Sequence, residues 1–200
     1  MTANLFDSLG DAGSDTATLT RLHERLTAAA DSDALLDVAY RTVDSPVGTL
    51  LLAATPAGLV RVAFDVEDHT AVLATLAARL SPRILRAPQR LDGVARQLDE
   101  YFTKRRTSFD IPLDLRLTDG FRRSVVEHLP EIGYGHRASY AAVAAAVGNP
   151  GAVRAVGSAC DRNPLPVVIP CHRVIRSDGS AGQYVGGPAA KSALLDLEAA

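Results

Sequence analysis

One thiol, one imidazole and one guanidinium stand side by side in an otherwise apolar stretch of this chain. Within residues 167–175, Cys171, His172 and Arg173 directly follow Pro170. The β-branched residues of this stretch predict a buried strand, and the proline predicts that the strand ends just before the thiol. A cysteine beside a histidine and an arginine favours the thiolate, which is the nucleophilic form. The segment therefore predicts a nucleophilic cysteine, and an inert core cysteine is the alternative.

A base for this thiol needs more than a neighbouring position in the sequence. Consecutive side chains of an extended segment point to opposite faces, so His172 would reach Cys171 only through a turn or a bridging water. A third group should then orient the imidazole. Glu198, in the last predicted helix, is the candidate for that role, and a solvated terminal acid is the alternative interpretation.

Length and composition limit the class of protein. The chain has 200 residues, of which 47% are hydrophobic, enough for one large or two small domains with real cores. It contains no apolar run of about twenty residues and no basic start followed by an apolar block, so we expect neither a membrane span nor a secretory signal. Cys160 and Cys171 form no disulfide framework, and the five histidines lack metal-ligand spacing. These features predict a cytoplasmic protein without a metal or other cofactor.

The charge is unevenly distributed along the chain. The formal net charge is −2, but residues 1–37 carry seven acidic and two basic side chains, which leaves a net charge of +3 on the remainder. A mildly basic remainder is compatible with a nucleic-acid partner.

Hydrophobic periodicity divides the chain into three parts with boundaries at 1–37, 38–117 and 118–200. The first part predicts a disordered tail over residues 1–14 and a short amphipathic helix over about 15–30. The second predicts a meander of three strands with two covering helices, followed by a linker or last strand at 109–116. The predicted strands are 38–43, 49–53 and 59–64, and the predicted helices are 69–80 and 91–103.

The third part predicts a pair of short helices joined by a tight turn. Ser139 should cap a helix over 140–147 that stops at Gly148, and Asn149 should cap a second helix, with Pro150 at its first position, that ends near Cys160. This is the helix-turn-helix pattern, with ordinary helix packing as the alternative. A helix capped by Thr118 should precede the pair, and one opened by Pro188 should end the chain.

Several motifs of the third part together resemble one protein family. They are Asn163-Pro164-Leu165-Pro166, Pro170-Cys171-His172-Arg173-Val174, Tyr184-x-Gly186-Gly187 and the helix that holds Lys191 and Glu198. The combination resembles the O6-alkylguanine-DNA alkyltransferases, also called methylated-DNA:protein-cysteine methyltransferases. The resemblance is strong from about residue 118 to 198, looser before it, and absent from residues 1–37. It implies an α/β (α+β) fold: a small antiparallel sheet with helices, ribonuclease-H-like, then a winged-helix-like helix-turn-helix domain that carries the active-site cysteine.

The resemblance also implies the reaction and the role of each site residue. A monomer would bind the minor groove of double-stranded DNA, flip O6-alkylguanine out of the stack and move the alkyl group to Cys171 in a single turnover; O4-methylthymine would be a second substrate. His172 would deprotonate the thiol through a water and Glu198 would complete the relay. Asn163 would hold the active-site turn, and Tyr140 would assist the leaving base at N3. Arg154 would fill the gap left by the flipped nucleotide, and the implied substrate-binding set is Arg154, Pro166, Arg173, Val174, Tyr184 and Val185.

Some residues depart from the family pattern, and two other functions compete with it. Gly133, Gln183 and Val126 stand where the family commonly has a proline, a glycine and an aromatic residue. Because Gln183 and the bulky Arg162 affect the size of the pocket, we expect methyl adducts rather than larger alkyl groups as substrates. A non-catalytic DNA-binding relative would lack the acceptor cysteine, which is present here. A cysteine hydrolase would need an oxyanion hole and would leave the helix pair unexplained.

Overall fold

The structure is a computed structural model that describes residues 12–199, and the chain divides into two compact units at Leu36 and Asp37. The described part of the first unit contains the helix α1 (Ala12–Ser32), whose Leu19, Leu22 and Leu26 are exposed. The helix predicted from residue 15 is therefore confirmed, and it begins earlier than predicted. Of the predicted disordered tail, residues 12–14 are helical and residues 1–11 lie outside the described part of the chain.

The second unit begins with the predicted meander, which the structure confirms. Strands β1 (Val38–Val43), β2 (Leu50–Thr55) and β3 (Gly58–Phe64) pair antiparallel. A fourth strand, β4 (Ile84–Arg86), extends the sheet parallel to β1, in the order β3-β2-β1-β4. The sheet is therefore mixed rather than purely antiparallel as was predicted. The sequence did not predict β4 because its three residues are too few to give a periodic signal.

Two helices accompany this sheet, as predicted. They are α2 (His69–Arg79) and α3 (Asp92–Phe102). Val72 and Leu76 of α2 are buried in one cluster with Leu51 and Val60 of the sheet. The segment after α3 is a connection rather than a regular strand, and its only ladder contact within the described residues is a single bridge from Leu113 to Leu59.

The remaining helices carry the candidate site. They are α4 (Gly120–His128), α5 (Tyr140–Ala146), α6 (Val153–Asp161) and α7 (Gly187–Glu198), with a two-residue parallel pair of strands, β5 (Ala138–Ser139) and β6 (Val174–Ile175). The Ser139 side chain accepts a hydrogen bond from the Ala142 N–H, Gly148 has a positive φ, and Pro188 lies in the first turn of α7, so these helix signals are confirmed.

Two predicted helix starts were wrong. Thr118 turns its hydroxyl back to the Leu115 carbonyl, so α4 begins after Asp119. The backbone N–H of Asn149 bonds the Ala144 carbonyl and its carbonyl accepts from the Ala152 N–H. Asn149 therefore completes the end of α5 and a tight turn, and α6 begins only at Val153. Among the described residues, no helix is long and apolar enough to cross a membrane.

Candidate active site

The apolar run before the candidate nucleophile is a compact turn, so the strand predicted there was wrong. The Ile169 N–H bonds the Leu165 carbonyl at 2.8 Å, and Val167 has a φ of +73°, which costs a β-branched residue about 1–2 kcal/mol. Asn163 holds the turn from inside: its Nδ2 donates to the Ile169 carbonyl at 2.9 Å and its Oδ1 accepts from the Leu165 N–H at 3.0 Å. The residue is 1% exposed. The predicted role of Asn163 thus has a direct geometric counterpart.

Cys171 opens the single turn of 3₁₀ helix that follows, and it is 1% exposed. Burial raises the pKa of its thiol to about 11, and the Asn163 side chain and the Lys191 ammonium lower that pKa in part. The thiol is therefore the resting form. The expectation that Arg173 favours the thiolate was wrong, because this guanidinium is bonded to Glu198 and Lys191 is the cation whose charge lowers the pKa of the thiol.

His172 and Glu198 meet as predicted, in a fully buried pair. The imidazole is 0% exposed, and its Nε2 lies 3.0 Å from Oε1 of Glu198. A carboxylate accepts, so Nε2 carries the proton and Nδ1 of a neutral ring keeps its lone pair. Nδ1 is buried without a hydrogen-bond partner in the described part of the chain. Burial lowers the pKa of His172 despite the carboxylate, which keeps the ring neutral and able to accept a proton.

Arg173 forms hydrogen bonds to the Glu198 carboxylate rather than facing an open pocket. Its Nε donates to Oε2 of Glu198 at 2.8 Å and its Nη2 to Oε1 at 2.9 Å, while Nη1 donates to the Ile132 carbonyl at 2.5 Å. Its side chain is 7% exposed. Together with the hydrogen bond from His172, which has the larger effect, the Arg173 donors hold the pKa of Glu198 well below its usual range, against the effect of burial. Its substrate-binding role stays a prediction, while the observed contacts make Arg173 a support for Glu198.

Tyr101 and Gly135 complete the coordination of Glu198, and the sequence analysis did not identify either contact. The Tyr101 hydroxyl lies 2.6 Å from Oε1, and the Gly135 N–H lies 3.3 Å from Oε2. At Gly135 φ is +75°, and a Cβ there would lie 3.0 Å from the Glu198 carbonyl oxygen. The tight turn at this position therefore lets the backbone approach the end of α7 closely.

Lys191 is a further residue whose contacts were not predicted from the sequence, and it is 0% exposed. Its Nζ donates to the Val174 carbonyl at 2.7 Å, and the Gln183 carbonyl lies 3.4 Å away. Burial lowers the pKa of this ammonium, while the thiols of Cys171 and Cys160 oppose that shift. The apolar stripe of this helix gave no reason to expect a buried cation here, and the carbonyl acceptors together with the nearby thiols account for it.

Of the predicted pocket residues, Tyr184 lines an open cleft of about 620 Å³. Gly182, Gln183 and Tyr184 line it together with Asp161 and Arg176.

Tyr140 lies against the segment 182–184 that lines this cleft, since a Cβ at Gly182 would lie 2.7 Å from the Tyr140 hydroxyl. Burial raises the pKa of Tyr140 to about 12, so the phenol is a neutral donor. Pro166, Val174 and Tyr184 are buried and Val185 is half-buried.

Arg154 lies apart from this cluster, exposed in the first turn of α6. An exposed position is compatible with the predicted role, in which the Arg154 side chain would reach into bound DNA. Cys160 is buried at the other end of α6, and burial raises the pKa of its thiol. No cluster of three or more metal-ligating side chains exists within residues 12–199.

Comparison with known proteins assigns the chain to a protein family. Residues 120–200 match the family model described as "6-O-methylguanine DNA methyltransferase, DNA binding domain", and residues 38–115 match "6-O-methylguanine DNA methyltransferase, ribonuclease-like domain". The methylated-DNA-protein-cysteine methyltransferase of Mycobacterium tuberculosis is 40% identical over 159 residues, 80% of this chain and 91% of that protein. The chain belongs to the methylated-DNA:protein-cysteine methyltransferase family.

Other relatives agree with the family assignment. The constitutive methylated-DNA-protein-cysteine methyltransferase of Bacillus subtilis is 37% identical over 163 residues, 80% of this chain and 94% of that protein. The crystal structure of the M. tuberculosis protein called OGT in complex with DNA superposes with a TM-score of 0.69 at 37% identity, covering 80% of this chain and 92% of that chain. The family models begin at residue 38, so α1 lies before the matched part of the methyltransferase.

Proposed function

We propose that this methyltransferase repairs double-stranded DNA by moving the alkyl group of O6-alkylguanine to the sulfur of its own Cys171. The observation that carries the proposal is the buried Glu198–His172 pair beside a cysteine, in a chain of this family. The M. tuberculosis relative crystallised with DNA supports DNA as the partner. The same displacement extends to O4-methylthymine, whose alkyl carbon is also bound to an exocyclic oxygen.

The resting thiol must lose its proton before it can attack. The lone pair of His172 Nδ1 accepts that proton through a bridging water, and Glu198 stabilises the resulting imidazolium. Lys191 adds a positive charge that stabilises the thiolate. Cys171 is therefore activated inside the site rather than being a permanent thiolate.

The transfer is a direct displacement at carbon. A sulfur–carbon bond forms while the carbon–O6 bond breaks, and the electron pair of that bond remains on guanine. The Tyr140 hydroxyl donates toward N3 and lowers the energy of the developing negative charge. The guanine anion then takes up, through water, the proton that the thiol gave to His172, so the products are a neutral guanine, a neutral imidazole and a thioether. Since no group in the site hydrolyses a thioether, each molecule reacts once.

DNA must deliver the reacting carbon to a buried sulfur, so the base has to leave the stack. We assign binding of the minor groove to the α5–α6 pair and the space of the flipped nucleotide to Arg154. Pro166, Tyr184 and Val185 would enclose the base, with the Val185 N–H at O6 and the carbonyls of Cys171 and Val174 at the exocyclic amine. Residues 38–117 support this arrangement and residues 118–200 carry it.

Mass spectrometry of the intact protein and its peptides after mixing with excess duplex that contains O6-methylguanine tests the proposal. We expect one methyl group per protein, located on Cys171, no transfer in Cys171→Ser and full transfer in the matched control Cys160→Ser. An unmodified Cys171 on a protein that binds the lesion would refute the transferase and support a recognition protein. Sustained turnover of a model ester would instead indicate a hydrolase.

A further inference from the structure

Tyr101 reaches the relay from a part of the chain that precedes the DNA-binding domain. The residue lies in α3, is 0% exposed and is 97 positions before Glu198. Its ring is fixed by aromatic neighbours, with centroid distances of 5.4 Å to Phe102, 5.2 Å to Phe109 and 6.1 Å to Tyr134. A rigid side chain in this position delivers its hydroxyl to one point of the carboxylate.

That point is Oε1 of Glu198, the oxygen that also faces the imidazole. Oε1 accepts from the Tyr101 hydroxyl at 2.6 Å, from Arg173 Nη2 at 2.9 Å and from His172 Nε2 at 3.0 Å. Three donors divide the electron density of one oxygen, and the shortest contact is that of the phenol. Burial and the neighbouring carboxylate raise the pKa of Tyr101, so this phenol stays protonated and donates.

We propose that Tyr101 is a positioning residue of the acceptor site, which orients Glu198 and weakens its attraction for the proton of His172. The imidazole then stays neutral with its proton on Nε2, and Nδ1 remains available for the thiol proton. The second half of this statement rests on the proposed function, because only there does His172 act as a base. The first half concerns the Tyr101–Glu198–His172 contacts themselves.

Other charged and titratable groups act on the same pair, and all of them survive loss of the phenol oxygen. Arg173 and Lys191 are cations that oppose a positive charge on His172. Tyr134 lies near Glu198, and the Tyr184 ring packs edge-on to the imidazole at 6.3 Å. A Tyr101→Phe substitution keeps these groups and the aromatic packing, so it isolates the contribution of one hydrogen bond.

Histidine-selective ¹⁵N NMR titration of the full chain measures this contribution directly, with the His172 signal assigned from a His172→Gln variant. Without the phenol, Glu198 holds the imidazolium more strongly, so the His172 midpoint should rise by about 0.5–1 pH unit. Below both midpoints, the neutral fraction then falls about three- to tenfold. Methyl transfer should slow by the same factor there, with unchanged affinity for DNA.

Two controls separate this effect from simple loss of stability. Tyr134→Phe removes a neighbouring hydroxyl that donates to the Leu197 carbonyl at 3.2 Å rather than to Glu198. Leu98→Ala weakens the packing of α3 without removing a hydroxyl, since Leu98 is a fully buried side chain of that helix. Both should leave the His172 midpoint in place, although Leu98→Ala should lower the melting temperature.

A midpoint in Tyr101→Phe equal to that of the wild type, or a rise of the same size in both controls, would overturn the proposal. If Tyr101→Phe does not fold, 3-fluorotyrosine placed at position 101 keeps the volume and makes the phenol a stronger donor. The midpoint should then fall, and a rise or no change would count against the inference. A wild type that transfers no methyl group while the midpoint shifts as expected would refute only the proposed function.

Discussion

A glutamine at position 198 would leave the buried guanidinium of Arg173 without its counter-charge. Glu198 is 4% exposed and accepts five hydrogen bonds, two of them from Arg173 and the others from Tyr101, Gly135 and His172. Glutamine keeps the size of the side chain, but its nitrogen is a donor and would face donors. The variant therefore breaks a satisfied ionic network from one side only.

Breaking a buried ion pair in this way costs about 3–5 kcal/mol in the free energy of unfolding, because the remaining charge is uncompensated. For a domain of this size, each kcal/mol lowers the melting temperature by about 2–4 °C, so Glu198→Gln should melt about 6–20 °C lower at neutral pH. Glu131→Gln is the matched control, since Glu131 pairs with His128 at 3.1 Å but its side chain is 71% exposed. Exposed pairs contribute about 0–1 kcal/mol, so the control should melt close to the wild type.

The pH dependence of the difference in unfolding free energy between the wild type and Glu198→Gln gives an independent check. The pKa of Glu198 is held below its unfolded value, so its stabilising effect is fully present above about pH 4.5 and disappears as the pH falls through the folded pKa. Urea unfolding of the wild type and Glu198→Gln should show a constant gap from pH 5 to 7 and a narrower gap in more acidic buffer. A gap no larger than that of Glu131→Gln, or one that widens in acid, would refute the reasoning.

Two further substitutions test the contacts that hold the turn before Cys171 and the backbone at Gly186. Asn163→Ala leaves the buried Leu165 N–H without a partner and leaves the Ile169 carbonyl with the Cys171 N–H as its donor, so we expect a loss of about 1–3 kcal/mol in urea unfolding and slower methyl transfer. Asn149→Ala on the exposed turn should change little, and equal effects would contradict the assigned role. A Cβ at Gly186 would lie 2.7 Å from the Phe64 ring, so Gly186→Ala should cost about 1–3 kcal/mol in thermal unfolding, and adding Phe64→Leu should recover part of it. Gly93→Ala in α3, where nothing lies within 4 Å, should be neutral or mildly stabilising, and a similar loss there would show that the Phe64 contact is not the cause.

The sequence predicted the elements that have long periodic patterns and the residues that have unusual chemistry. The meander, α2 and α3 follow from hydrophobic alternation and helical stripes, and the structure confirms them. The His172–Glu198 pair was predictable because a buried imidazole needs an orienting partner and because the resemblance to the alkyltransferases implies that Glu198 completes the relay. Such predictions rest on local patterns or on the demands of one chemical group.

The turn at residues 167–169 escaped prediction because its composition is that of a strand. Tertiary contacts override that preference here: the two hydrogen bonds of Asn163 close the turn, and they hold Val167 in a left-handed conformation that isolated valine avoids. The start of α6 escaped for a related reason, since the backbone of Asn149 already serves the end of α5. In both places, contacts that the local sequence does not reveal decide the backbone conformation.

The contribution of residues 38–117 to the site could not be read from the sequence, because it depends on contacts between distant segments. The Val62 N–H bonds the Pro164 carbonyl at 2.8 Å, and Arg61, paired with Glu67, donates to that carbonyl at 3.3 Å. Tyr101 reaches Glu198 in the same way across the interface. A buried relay needs donors for every lone pair, and the segment around Cys171 supplies too few of them. The sheet and α3 therefore do more than support the acceptor site, because they provide hydrogen bonds that fix its turn and its acid.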